Sequence, residues 1–474
     1  MRARYTALLA LILVGLGAYL YFVESKQEAE SEKKKTLLAV KADDVTGLTL
    51  TYGDHEIVLE QRDGAWRMTK PVEAAADELA VKNLVRAIAE AEVKKTIDDP
   101  PQDLLPFGLA PPFVTIAITT KDGAAVPAVK VGKTTAVSFS TYVQLADKPT
   151  VYLTPSSFRS GVDKQPKDLR DKTILAFNDN DITALTLRGD GGAAVELARK
   201  NGEWWIEQPA SYRADNNAVR ALLSTIRNLR ATDFANDNPA PADLATYGLA
   251  PPQRELVLRA GADKTITLDV GKPTDQGLYV KSGERPTAFV VGKWVASDLG
   301  KGVNELRDKT LLTFDPTAAG SIAVTRADGA NFTLASKDGQ WTLAGAEAPT
   351  NPASALAFVG ALSRLAGSQV LAESTPDPAA YGLAAPAITV NVTGTDGKSI
   401  GTVRLGTIAP DPPATQYTAQ RDGDPAVMQL GEFQFKQLDK KPDDFTRPPK
   451  PPGGAPGMPG MPGGDAGGED EGEE

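Results

Sequence analysis

Phe107-Gly-Leu-Ala-Pro-Pro112 returns as Tyr247-Gly-Leu-Ala-Pro-Pro252 and again as Tyr381-Gly-Leu-Ala-Ala-Pro386. The copies stand 140 and 134 residues apart. Solenoid units run only ~20–50 residues, so a period this long marks copies of a whole domain. A chain of 474 residues has room for three of them. Within the motif the glycine suits a left-handed turn, and the prolines fix the chain as it enters a strand.

Around the motif the same pattern recurs. Each copy opens on an alternating strand, Leu48–Tyr52, Leu185–Arg188 and Ile322–Arg326, as expected of sheets with one buried face. A tight turn then leads into tryptophan: Asp63-Gly64 before Trp66, Asn201-Gly202 before Trp204-Trp205, Asp338-Gly339 before Trp341. Asp-Gly and Asn-Gly supply the positive φ angles such hairpins need. One helix follows per copy. Val81, Leu84, Val85 and Ile88 lie at i, i+3, i+4, i+7, a spacing repeated by Val219, Leu222, Leu223 and Ile226 and by Ala355, Phe358, Val359 and Leu362. Asp77, Asp215 and Asn351 are the expected N-caps, the last followed by Pro352. After the Gly-Leu-Ala-Pro-Pro element come further strands and a short final helix. Copies one and two end in Leu169–Phe177 and Leu306–Phe314, while copy three keeps only Leu438–Phe445. The expected fold is therefore α+β: three tandem repeats of mainly antiparallel sheet, each with one packed helix, over 42–178, 179–316 and 317–446.

The ends differ from the repeats. Nineteen uncharged residues from Tyr5 to Val23 would span roughly 28 Å as a helix, matching a bilayer core. Arg2 and Arg4 precede the run, and Tyr19, Tyr21 and Phe22 close it as an interfacial belt. The run exceeds a signal-peptide core and no small-x-small cleavage site follows. The expectation is a single-pass anchor in the cytoplasmic (inner) membrane, with residues 1–4 cytoplasmic and lipid contacted through 5–23. A charged stalk spans 24–41 and the bulk is extracytoplasmic, periplasmic in a Gram-negative cell. Residues 447–474, Pro/Gly-rich and then acidic, read as a disordered tail. The net charge of −10 argues against nucleic acid, which needs a clustered positive face.

The chemical inventory is sparse. Cysteine is absent and His55 is the one histidine, which excludes disulfides, thiolate nucleophiles and multi-histidine metal sites. Gly132-Lys133-Thr134 resembles the end of a phosphate-binding loop, but Pro127 stands where the loop requires glycine. Asn178-Asp179-Asn180-Asp181 lacks the glycine and terminal glutamate of a calcium loop and reads as a linker. His55, between Asp54 and Glu56, reads as a solvated hairpin-tip residue. Asn331-Phe-Thr333 and Asn391-Val-Thr393 match the glycosylation pattern but fall in expected strands. Arg170-Asp171-Lys172 and Arg307-Asp308-Lys309 are one tripeptide used twice. They are the candidate partner-binding edge, against the plainer reading of helix ends with local ion pairs. No catalytic, cofactor or metal residues are assigned, and the chain reads as a non-enzyme.

The unit of Gly-Trp hairpin, helix, (Phe/Tyr)-Gly-Leu-Ala-Pro-Pro, sheet and Leu-Arg-Asp-Lys resembles a bacterial family, domain of unknown function 4340 (DUF4340). Gly108-Leu109, Gly248-Leu249 and Gly382-Leu383 carry the resemblance, with Leu169-Arg170-Asp171 and Leu306-Arg307-Asp308. It implies an N-terminal anchor, an extracytoplasmic repeat region and association with ABC-transporter components of the gliding-motility type. It implies no catalytic residues. The leading function is a membrane-anchored scaffold or accessory protein. The alternative is a cell-envelope glycan-binding module using Trp66, Trp205 and Trp341, and a hydrolase is third.

Overall fold

The computed structural model describes residues 35–97, 101–135, 139–189, 193–261, 263–408 and 415–446. The expected anchor 5–23 and tail 447–474 lie outside these residues. Among the described residues no helix is long and apolar enough to cross a membrane. The chain is mixed α+β, with antiparallel sheets and few helices in repeated units. It groups into two compact units. The first holds the described residues to Ala176 with Asn228–Pro251 and Val270–Lys293; the second holds Phe177–Arg227, Pro252–Asp269 and the described residues from Trp294.

In the first unit, copy one is a nine-stranded sheet. Its strands are β1 (Val45–Thr51), β2 (Glu56–Arg62), β3 (Ala65–Lys70), β4 (Ala74–Ala75), β5 (Lys95–Thr96), β6 (Val114–Thr120), β7 (Val129–Thr134), β8 (Ser140–Leu145) and β9 (Val151–Pro155). Their order is β4-β3-β2-β1-β6-β7-β8-β9-β5. Alternation places Leu48, Leu50, Ile57, Leu59, Trp66 and Met68 inside. Helix α1 (Glu78–Ala89) carries the chain from edge strand β4 to the opposite edge strand β5 and buries Val81, Leu84, Val85 and Ile88 in that core. Its N-cap is Asp77, whose carboxylate accepts from the Ala80 N–H at 3.0 Å. Asp63 and Gly64 take positive φ (53° and 81°), so the hairpin turn is the expected one.

Copy two continues with β10 (Ile182–Gly189), β11 (Val195–Lys200), β12 (Glu203–Gln208), β13 (Tyr212–Arg213), β14 (Asp233–Asn236), β15 (Arg254–Ala260), β16 (Lys264–Pro273), β17 (Gly277–Ser282) and β18 (Ala288–Gly292). The segment β13-β12-β11-β10-β15 lies in the second unit, and β17-β18-β14 lies in the first. Each part follows the strand order of copy one. Helix α2 (Asn216–Arg227) is capped by Asp215, which accepts from Asn217 and Ala218.

Copy three lies in the second unit. Its strands are β19 (Thr310–Thr313), β20 (Ala319–Arg326), β21 (Phe332–Lys337), β22 (Gln340–Leu343), β23 (Arg364–Ala366), β24 (Gln369–Ala372), β25 (Ile388–Gly394), β26 (Ser399–Ile408), β27 (Gln416–Arg421) and β28 (Val427–Leu430). Eight of them run β22-β21-β20-β25-β26-β27-β28-β24. Helix α3 (Pro352–Leu362), capped by Asn351, packs Phe358 against Phe332 and Phe445.

Two details differ from the sequence reading. First, Lys172–Leu175 pair forward rather than closing copy one. The Lys172 carbonyl accepts from Ala231 N–H at 2.9 Å, as Lys309 does from Gly367 at 2.9 Å and Lys35 does from Val93 at 2.8 Å. Each copy thus opens on Lys-Thr-(Leu/Ile)-Leu, and Leu37-Leu38, placed above in the stalk, are buried in copy one. Second, the counterpart of Leu169 and Leu306 in copy three is Phe445, not Leu438. The N-cap N–H groups of Asp77, Asp215 and Asn351 bond to the carbonyls of Leu169, Leu306 and Phe445 respectively.

Candidate functional site

The repeated hexapeptide is a packing device. Gly108, Gly248 and Gly382 have φ of 66°, 70° and 66°, the left-handed turn that glycine permits. The following leucines, Leu109, Leu249 and Leu383, are buried. Under each turn a second glycine faces the preceding aromatic carbonyl. A Cβ on Gly132, Gly271 or Gly406 would stand 2.3, 2.3 or 2.6 Å from the carbonyl oxygen of Phe107, Tyr247 or Tyr381. The phosphate-loop look of Gly132-Lys133-Thr134 thus has a steric cause.

The two Arg-Asp-Lys tripeptides sit at joints between consecutive copies. In the first unit Arg170 is 6 % exposed. Its guanidinium donates to Asp237 of copy two through both terminal nitrogens, Nη1 and Nη2, and lies 3.7 Å over the Phe234 ring. Asp171 accepts from Thr173 N–H at 2.9 Å and lies 3.4 Å from Arg285. In the second unit Arg307, also 6 % exposed, pairs with Glu373 of copy three and lies 4.0 Å over Tyr212. Asp308 accepts from Thr310 N–H at 2.9 Å, and Lys309 donates to the Asn304 carbonyl. Burial and the Glu373 carboxylate push the Tyr212 hydroxyl above its usual pKa. A buried guanidinium needs a compensating charge, and an aromatic face adds attraction; here both come from within the chain. A groove of about 370 Å³ opens beside the second joint, bordered by Arg213, Arg307, Glu373, Arg421 and Asp424.

The remaining candidates are local. His55 is not a solvated tip residue: its ring stacks on Tyr52 at 4.4 Å and its Nδ1 lies 2.7 Å from Asp54. That contact holds the Asp54 carboxyl below its usual range. The Tyr52 hydroxyl donates to the Val162 carbonyl at 2.6 Å, and burial raises its pKa. Asn178–Asp181 form a 3-10 turn into β10, capped by the Asn178 side chain on Asn180 N–H. Asn391 donates across the sheet to Thr402. Trp66 and Trp341 are buried (4 % and 6 % exposed), and so is Trp204, while Trp205 is half-buried. The core tryptophan of copy two is therefore Trp204. Strand alternation turns its neighbour Trp205 to the opposite face. Among the described residues no group of three or more histidine, aspartate and glutamate side chains could hold a metal.

The model of domain of unknown function (DUF4340) matches the chain three times, over 66–211, 204–386 and 345–448. The chain belongs to the DUF4340 family. The first two matches begin at Trp66 and Trp204, the buried hairpin tryptophans. No curated protein and no solved structure matches the chain. The signal that sequence reading missed in this DUF4340 protein is Lys35-Thr36-Leu37-Leu38, the counterpart of Lys172–Leu175 and Lys309–Leu312. It was legible as a third copy of a tetrapeptide, but the charged residues around it favoured a stalk.

Proposed function

We propose that this chain is a non-enzymatic, membrane-anchored scaffold or accessory protein. It is held in the cytoplasmic membrane by residues 5–23, with its repeats outside the cytoplasm, and serves a membrane complex of the ABC-transporter type. The fold behind this reading is one helix followed by three antiparallel repeats. The observation that carries it is the joint. Arg170 and Arg307, the arginines of the tripeptide that copies one and two share, are buried against the following copy, which supports a chain whose charged residues couple repeat to repeat. A sequence with one histidine and no cysteine supports the non-enzymatic part. The glycan-platform alternative calls for exposed Trp66, Trp205 and Trp341, and the burial of the first and third weighs against it.

The test is cross-linking in intact cells, followed by purification from detergent-solubilised membranes. Full-length protein, His55→Ala and deletions of each repeat are compared. The protein is expected in carbonate-resistant membranes, with partner capture unchanged by His55→Ala and lost on repeat deletion. A soluble protein, or loss of function in His55→Ala with capture intact, would overturn the proposal.

A further inference from the structure

One groove recurs at the same place in copies one and two. In copy two, within the second unit, it lies between the 3-10 turn Asp179–Asp181, the β11–β12 hairpin and the outer side of α2, and measures about 500 Å³. In copy one it measures about 780 Å³ and lies between Lys41–Asp43, Gln61 with Trp66, and α1. The same four helix positions line both: Lys82, Val85, Arg86 and Ala89 in α1, and Arg220, Leu223, Ser224 and Arg227 in α2. This i, i+3, i+4, i+7 stripe runs beside the buried face. Both volumes fall within the ~300–1,000 Å³ of small-molecule sites.

The lining chemistry is selective. In copy two Arg199, Arg220 and Arg227 face the single carboxylate of Asp179. Arg227 holds Asp179 Oδ2 at 3.0 Å, while Asp179 Oδ1 is buried with no hydrogen-bond partner. Arg199 makes only long bonds, 3.3 and 3.4 Å, to the carbonyls of Gly202 and Asn180. Arg220 is exposed and has no ion pair among the described residues. In copy one Lys82 is shared with Glu78 at 3.3 Å, and Asp43 and Glu90 offset the lining charge. In copy three Ser336, Leu356 and Ser363 stand where copy two has Arg199, Arg220 and Arg227.

We propose that these grooves bind a small anionic saccharide, tightly in copy two, weakly in copy one and not in copy three. Its phosphate or carboxylate oxygens meet the arginines, whose forked donors match such groups. Its hydroxyls meet the side-chain amides of Asn178 and Asn180, which are exposed and line the same groove. This goes beyond the scaffold reading and does not depend on it.

The experiment is calorimetric titration of the full-length protein in detergent with glucose 6-phosphate and with glucuronate, using glucose and inorganic phosphate as controls. Either anionic sugar is expected to bind at no more than two sites per chain. Arg220→Gln should weaken the tighter site at least tenfold, and Arg86→Gln only the weaker one. Both residues are exposed, so the melting transition should not move. Several outcomes would overturn the proposal: no binding of either anionic sugar, binding indifferent to Arg220→Gln, or inorganic phosphate or glucose binding as well as both. Preferential binding to phosphatidylglycerol vesicles would overturn it in favour of a membrane surface.

Discussion

Gly271→Ala isolates what the repeated hexapeptide does. The added Cβ would stand 2.3 Å from the Tyr247 carbonyl oxygen and 3.1–3.2 Å from Leu249. The obstructing atom is backbone, so no rotamer relieves the clash. The turn must retreat by about 0.7 Å to reach even 3.0 Å, carrying buried Leu249 with it. Overpacking of this kind costs ~1–3 kcal/mol, and the upper half is expected because the turn is held by its own hydrogen bond from Leu249 N–H to Leu244. For a repeat of this size that corresponds to a fall in the melting temperature of roughly 5–12 °C. Two controls separate sterics from strain. Gly53→Ala meets nothing within 4 Å and needs no positive φ, so it should be neutral or stabilising by ~0.4–1 kcal/mol. Gly64→Ala also meets open space but has φ of +81°, so it should lose ~1–2 kcal/mol from the left-handed backbone alone. The assay is thermal unfolding followed by circular dichroism. If Gly271→Ala melts with Gly53→Ala, the interlock of turn and strand glycine is not a stabilising feature.

Three further outcomes are expected. In a Trp205→Phe, Trp294→Phe background, which removes the half-buried and the exposed indole (67 % exposed for Trp294), Trp66→Ala or Trp341→Ala should each cost ~3–5 kcal/mol. Iodide should quench the remaining emission poorly, and quenching as strong as for free tryptophan would contradict their burial. A double-mutant cycle on Arg307 and Glu373 should return a coupling of only ~0.5–1 kcal/mol, because Glu373 is half exposed (52 %); additivity would remove the joint as an energetic link. Asp328 is held well below the usual carboxylate range by Arg326 and Lys441. A depressed pKa contributes stability above the unfolded value of ~4, lost as pH falls below it. Asp328→Asn should therefore flatten the acid side of the stability profile, and an unchanged acid limb would exclude the network from it.

Much of the architecture was local enough to read from the chain. The Asp-Gly and Asn-Gly turns, the N-caps at Asp77, Asp215 and Asn351, and the left-handed glycines of the hexapeptide depend on a few neighbouring residues, and φ preferences and short hydrogen bonds decide them. The apolar stripes of the three helices likewise carry their own period. The candidate sites were less legible. Arg170 and Arg307 looked like a free edge because the acidic residues beside them in sequence, Asp168 and Asp171 or Glu305 and Asp308, are not the ones that hold them. Their carboxylates, Asp237 and Glu373, lie 67 and 66 residues away. Trp204 and Trp205 differ only in which face of the sheet is covered, and a pair of adjacent tryptophans does not say which. The basic grooves join a turn, a hairpin and a helix whose residues are each unremarkable in isolation. Local chemistry determined the elements and their threefold recurrence. The tertiary structure decided partnership, because burial and charge pairing depend on contacts that chain separation conceals.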